Sequence, residues 1–110
     1  METGEGYVTA NFSISISNDR EPVIVQLTGE LDILTADNLR QRLQAIHGDI
    51  VIDLDALSFI DAAGLSVMIE AAQNNGGVRI TNPTSSVKRV FDICGLGDLL
   101  ADPDACASHN

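Results

Sequence analysis

The chain has 110 residues, 45% apolar and 20% charged, and sixteen acidic against six basic side chains leave a formal net charge of −10. That size fits one domain burying about two-thirds of its extended surface, and that composition excludes disorder in its body. The charge argues against phosphate backbones and anionic lipid surfaces as partners, since no cluster of Lys and Arg offsets the repulsion.

Four aromatic residues (Tyr7, Phe12, Phe59 and Phe91) and no Trp are too few for a base-stacking platform, so no nucleic acid partner is expected. No apolar run approaches the ~18 residues of a membrane span, so no membrane insertion is expected. The opening Met-Glu-Thr-Gly-Glu-Gly has neither a basic n-region nor an apolar h-region; no secretory signal is read there, and a cytoplasmic location is expected.

Residues 1–8 read as a flexible acidic lead, residues 9–101 as the domain and residues 102–110 as a polar tail. Phe12-Ser13-Ile14-Ser15-Ile16 alternates with period two, the mark of a strand with one wet face. The stretch 17–22 carries turn chemistry, so an antiparallel hairpin is expected there. Val23-Ile24-Val25-Gln26-Leu27 reads as a strand covered on both faces, and Gly29 ends it. Thr35 then reads as an N-cap with Asp37 in the first turn; Leu39, Leu43 and Ile46 form one stripe, closed by His47-Gly48.

Ile50-Val51-Ile52-Asp53-Leu54 is a second strand of the buried type. Asp61 reads as the cap of a helix whose stripe is Leu65, Met68, Ile69 and Ala72, stopped at Asn75-Gly76-Gly77. Val78-Arg79-Ile80 is a short third buried strand. Ser85 or Ser86 opens a last helix with Val87, Val90, Phe91 and Cys94 inward, ended by Gly95, and Leu96, Leu99 and Leu100 add a little more structure. The order β-β-α-β-α-β-α predicts a single α/β domain: a mixed, mostly parallel sheet with an N-terminal hairpin and helices packed against it.

Catalytic patterns are missing. Gly64-Leu65-Ser66-Val67-Met68 lacks the second Gly of a nucleophile elbow, Gly95-Leu96-Gly97 lacks a third Gly and follows a helix, and no phosphate loop is present. Asp53, Asp55 and Asp61 read as an acidic strand end plus a helix cap rather than a metal set, for want of a fourth oxygen ligand. His47 suits a helix C-terminus, and His109 lies in the tail. Cys94 reads as a buried thiol and Cys106 as a reachable one. A Cys94–Cys106 redox pair, or a metal held by Cys94, Cys106 and His109, stays open but is not favoured. No catalytic residue, metal or cofactor is expected, and the chain reads as a non-enzyme.

Three motifs in order carry a family resemblance. Leu27-Thr28-Gly29-Glu30-Leu31-Asp32 resembles the Gly-Glu-Leu-Asp turn of STAS domains, the fold of bacterial anti-sigma factor antagonists. Val51-Ile52-Asp53-Leu54, followed by Phe59-Ile60-Asp61-Ala62-Ala63-Gly64-Leu65, resembles their central strand and Asp-Ser-Ser-Gly-Leu loop. Val87-Lys88-Arg89-Val90-Phe91-Asp92 with Gly95-Leu96 resembles the third helix and its exit. The resemblance implies a regulatory module that binds an anti-sigma factor with a serine-kinase ATP-binding fold and so frees a sigma factor. In that family the kinase phosphorylates the second Ser of the loop and ends the complex.

Here Ala62 and Ala63 replace the two serines, so the usual phospho-switch is expected to be missing; Ser66, one turn on, is a weaker candidate. The resemblance places partner contacts at Glu30, Asp32, Thr35, Ser58, Asp61, Ala62, Ala63, Gly64 and Ser66, with Gly64 allowing close backbone approach. A polar tail in place of the family's final helix implies a monomer or weak homodimer. Three readings remain beside this one: an accessory subunit of a lipid-transport ABC system, an antagonist under redox control through Cys94 and Cys106, and a nucleotide-binding or weakly hydrolytic role.

Overall fold

Alternation along the strands settles how the sheet is covered. The computed structural model describes residues 4–8, 11–17, 19, 21–74 and 77–101, of which 4–8, 74 and 101 are described as backbone alone. On β2 (Phe12–Ser17) the residues Phe12, Ile14 and Ile16 are buried; on β3 (Val23–Leu31) they are Val23, Val25, Leu27 and Leu31; on β4 (Ile50–Ile60) they begin with Ile50, Ile52 and Leu54. With β1 (Gly4–Val8), β5 (Val78–Thr81) and β6 (Leu100–Ala101) these form one six-stranded sheet in chain order. β1, β2 and β3 pair antiparallel, and β3 to β6 pair parallel.

Strands that follow one another in space in chain order, joined by right-handed crossovers, place all their helices on one face. The helices α1 (Ile33–Gln44), α2 (Ala62–Asn74) and α3 (Ser85–Ile93) accordingly share one core with the sheet. Register aligns the buried rows: Ile14 opposite Leu27, Val25 opposite Ile52, Ile52 opposite Ile80, and Ile80 opposite Leu100. Leu39 and Leu43 of α1, Val67 and Met68 of α2, and Val87 and Phe91 of α3 close this layer. The other face is open, which corrects the expectation of strands covered on both sides: Ile24 is 36% exposed, Gln26 and Arg79 are exposed, and Val51 and Asp53 are half-buried.

Other differences lie at element ends. Gly4–Val8, assigned to the flexible lead, pairs with β2 from Gly4↔Ser17 to Val8↔Ser13, because the outer side of β2 offers a second row of backbone donors and acceptors. The N-cap of α1 is Asp32, not Thr35. The Asp32 carboxylate accepts from the Leu34 N–H at 3.0 Å, while the Thr35 hydroxyl accepts from the Asp32 N–H at 3.0 Å. This reciprocal box satisfies two free donors where a Thr35 cap would satisfy one.

The cap of α3 is Thr84, rather than Ser85 or Ser86. Its hydroxyl accepts from the Val87 N–H at 3.4 Å and donates to the Leu57 carbonyl at 2.9 Å, which ties the helix to β4. Cys94 is exposed, not inward. The helix ends at Ile93, and Gly95 at φ +74° turns the chain into the 3-10 turn Gly97–Leu99 and on to β6. Asn75, Gly76, Cys106, His109 and the rest of the tail 102–110 lie outside the described residues.

Candidate partner-binding site

The site forms where β3 and β4 end and α1 and α2 begin, at the carboxyl edge of the parallel strands, the place where open α/β sheets gather their ligands. Two irregularities in β4 shape it. Gln26 pairs with Asp53 but Thr28 pairs with Ala56, so β4 carries one extra residue; between Gly29↔Leu57 and Glu30↔Phe59 it carries a second. The first bulge is held by the Asp53 carboxylate accepting from the Asp55 N–H at 3.0 Å, and the second by the Ser58 hydroxyl donating to the Gly29 carbonyl at 3.0 Å. Bulges bend the strand and re-aim its side chains. Leu57 and Ile60 stay buried, while Ser58 is exposed and Phe59 is 47% exposed.

Gly29 permits the matching bend in β3. Its φ of +96° is a left-handed conformation, and a Cβ there would collide with the Asn11 carbonyl oxygen. The Glu30 N–H then donates to that same carbonyl at 2.8 Å. One residue on, the Leu31 carbonyl accepts from the Asp61 N–H at 3.2 Å, which links the two cap residues Asp32 and Asp61. Asp61 caps α2 as expected, its carboxylate accepting from the Gly64 N–H at 3.1 Å.

Gly64 packs against the interior. It is buried, and a Cβ added to it would lie 2.8 Å from Ile60 Cγ1 and 2.9 Å from Leu31 Cγ. Its lack of a side chain lets the first turn of α2 settle onto the strand ends.

The two helices run side by side. Arg40 on α1 donates to Glu70 on α2 at 2.8 Å and to Asp37 on its own helix at 2.8 Å. The bond to Glu70, ahead of that to Asp37, raises the Arg40 pKa above its ordinary value. Ile33 and Ala63 each lie seven residues, about two helical turns, before this pair, in the first turns of their helices.

The expected site residues divide into surface and support. Glu30, Ser58, Ala62 and Ser66 are exposed, and Asp32 and Asp61 are half-buried. Thr35 is buried at 7% exposure within the capping box, and Ala63 is half-buried against the core. The residues not singled out from sequence are Ile33 at 74%, Leu34 at 81% and Phe59 at 47% exposure. Placing the cap at Asp32 would have revealed the first two, since it puts both at the start of α1, before its buried stripe begins. Cys94 sits at the end of α3 away from Thr84 and Leu57, hence remote from this edge, and His47 is exposed beyond α1.

Asp53 accepts from the Asn82 side chain at 3.4 Å as well as from the Asp55 N–H, so its carboxylate has a structural task. The edge as a whole presents aliphatic and aromatic surface with carboxylates around it, an arrangement suited to holding another protein. Among the described residues, no helix is long and apolar enough to cross a membrane.

Known proteins resemble this chain in sequence and fold. A 34% identity over 97 residues relates the chain to an anti-sigma F factor antagonist of Paenibacillus polymyxa, covering 78% of this chain and 81% of that one. The anti-sigma-B factor antagonist of Bacillus subtilis (strain 168) is 27% identical over 97 residues, covering 82% and 89%. The crystal structure of an anti-sigma factor antagonist from Mycobacterium paratuberculosis superposes with a TM-score of 0.74 at 21% identity, over 91% of this chain and 92% of that one, which shows the shared fold. The family model described as "Mlab, STAS domain" matches residues 14–101. Because that match runs from β2 to β6 through every element that shapes the carboxyl edge, the chain belongs to the STAS domain family.

Proposed function

We propose that this chain is an anti-sigma factor antagonist, a binding module and not an enzyme. It docks through the carboxyl edge of β3 and β4 onto an anti-sigma factor with a serine-kinase ATP-binding fold, and so releases a sigma factor. The observation that carries the reading is the exposure of Ile33, Leu34 and Phe59 at the carboxyl edge, on a chain whose relatives are antagonists of this kind.

The complex lacks the serine off-switch. Ala63 stands where the family resemblance puts the acceptor, and a methyl group cannot receive a phosphate. In a switched antagonist the added phosphate brings about −1.5 to −2 charges to the contact surface and opposes docking. Ser66 is exposed one turn along α2, where a small side chain leaves room for the partner. This chain is therefore always competent to bind, and its activity follows its abundance and that of competing antagonists.

The test is binding of the chain to each kinase-fold anti-sigma factor of its source genome, beside Ala62→Glu and Ala63→Glu. Ala62 is exposed, so its variant folds even if a Glu at the half-buried position 63 disturbs packing. Binding by the native chain that weakens at least ~10-fold in the Ala62 variant is expected, since like charge or a desolvated carboxylate in a contact costs well over 1 kcal/mol. No binding to any of these factors would overturn the reading and turn the search to the ATPase and permease of a lipid-transport system.

A further inference from the structure

Among the described residues, five large apolar side chains are at least about a third exposed, and three of them belong to the carboxyl edge: Ile33 and Leu34, neighbours at the start of α1, and Phe59, near the end of β4. Solitary exposed apolar residues are ordinary, but a contiguous group marks a contact. Ile33 and Leu34 occupy the first turn of a helix, where polar residues are usual, and there they pack little against the rest of the chain. The capping box on either side of them fixes the backbone that carries them, and Phe59 is set beside Glu30 by the second bulge. These are aliphatic groups mounted rigidly and left uncovered.

We infer that Ile33 and Leu34, backed by Phe59, are the anchor by which this chain binds its partner, and that the partner offers an aliphatic pocket flanked by Arg or Lys. The inference rests on the function proposed above and names the chemistry of its contact. Charge selects the occupant. Glu30 and Asp32 stand just before the anchor in the chain, with Glu30 paired to Phe59, and the segments 29–35 and 57–66 contain no Lys or Arg at all. A second copy would bring two such acidic rims together, and a lipid surface would meet carboxylates with no cation to hold its phosphates. A protein pocket with a basic rim satisfies both the apolar and the acidic parts.

The experiment compares the native chain, an Ile33→Ser, Leu34→Ser double variant and an Ile33→Met, Leu34→Met double variant against the kinase-fold anti-sigma factor that the native chain binds. Exposed at 74% and 81%, both positions tolerate these changes without loss of the folded state, which circular dichroism melting checks. The Ser pair is expected to weaken binding at least ~30-fold, as loss of central apolar anchors does, and the Met pair to stay within ~3-fold. Native affinity should also fall as salt rises, because the acidic rim faces cations. Binding by the Ser pair within ~3-fold of native overturns the anchor and leaves the proposed function standing, whereas absence of native binding overturns the function itself. Dimerisation of the native chain, or its uptake by phosphatidylcholine vesicles, that the Ser pair abolishes would reassign the anchor to a second copy or to lipid and overturn the inference.

Discussion

Whether α1 is started by Asp32 or by Thr35 decides how Ile33 and Leu34 are presented, and the two arrangements differ in measurable stability. In the structure the Asp32 carboxylate holds the Leu34 N–H at 3.0 Å and the Thr35 hydroxyl holds the Asp32 N–H at 3.0 Å. Replacing Asp32 by Ala removes one cap bond, about 1 kcal/mol within a range of about 0.5–2. Replacing Thr35 by Ala frees the Asp32 N–H and empties a site that is only 7% exposed, which together cost about 1–2 kcal/mol. In a domain of this size each kcal/mol lowers the melting temperature by about 5 °C.

The two members of a capping box also couple, because loss of either loosens the turn that the other holds. A double-mutant cycle in urea should show an interaction energy of at least ~0.5 kcal/mol, and Asp32→Ser, which keeps a capping oxygen, should recover most of the loss. A helix capped by Thr35 alone makes a different forecast: Thr35→Ala costs about 1 kcal/mol and Asp32→Ala nearly nothing. That second pattern, or strict additivity, would refute the structural argument and return Ile33 and Leu34 to an uncapped loop.

Gly29→Ala forces a Cβ into a left-handed backbone and against the Asn11 carbonyl oxygen; a loss of at least ~2 kcal/mol by urea titration is expected, and a neutral result would show that β3 does not bend there. Phe91→Ala and Ile93→Ala separate the two sides of α3: Phe91 is fully buried and Ile93 is 77% exposed, so the first should cost about 3–5 kcal/mol and the second under about 0.5, with equal losses contradicting the orientation of the helix. Incubated with ATP and its kinase-fold partner, the native chain should take up no phosphate at residue 63, while Ala63→Ser should be labelled and released from the complex; labelling of the native chain, mapped by mass spectrometry to Ser66, would show a displaced switch instead.

Much of this protein was written in short-range pattern. The period-two run from Phe12 to Ile16 and the spacing of Leu39 and Leu43 depend only on backbone repeat, so they announced a strand and a helix without any knowledge of the neighbours, although Ile46, read into the same stripe, lies past the end of α1 at Gln44. The motifs around Gly29 and Asp61 placed two turns that organise the edge, the motif around Phe91 placed the last helix, and Asp61 caps α2 as its chemistry requires. What sequence left open were choices made between segments distant in the chain. Val23 to Leu27 is apolar enough for either environment; only crossovers that all turn the same way left Ile24 and Gln26 facing outward.

Thr35 and Asp32 are both good capping residues, and the choice fell to the pair whose geometry satisfies two donors together. Gly4–Val8 has little strand character of its own and gains it from the free edge of β2. The proposed partner-binding surface shows the same division. Sequence supplied the carboxylates and the missing hydroxyl at Ala63, since these are properties of single residues. The exposure of Ile33, Leu34 and Phe59 is a relation between a helix start and a bulged strand end, so it came into view only when the tertiary structure brought the two together.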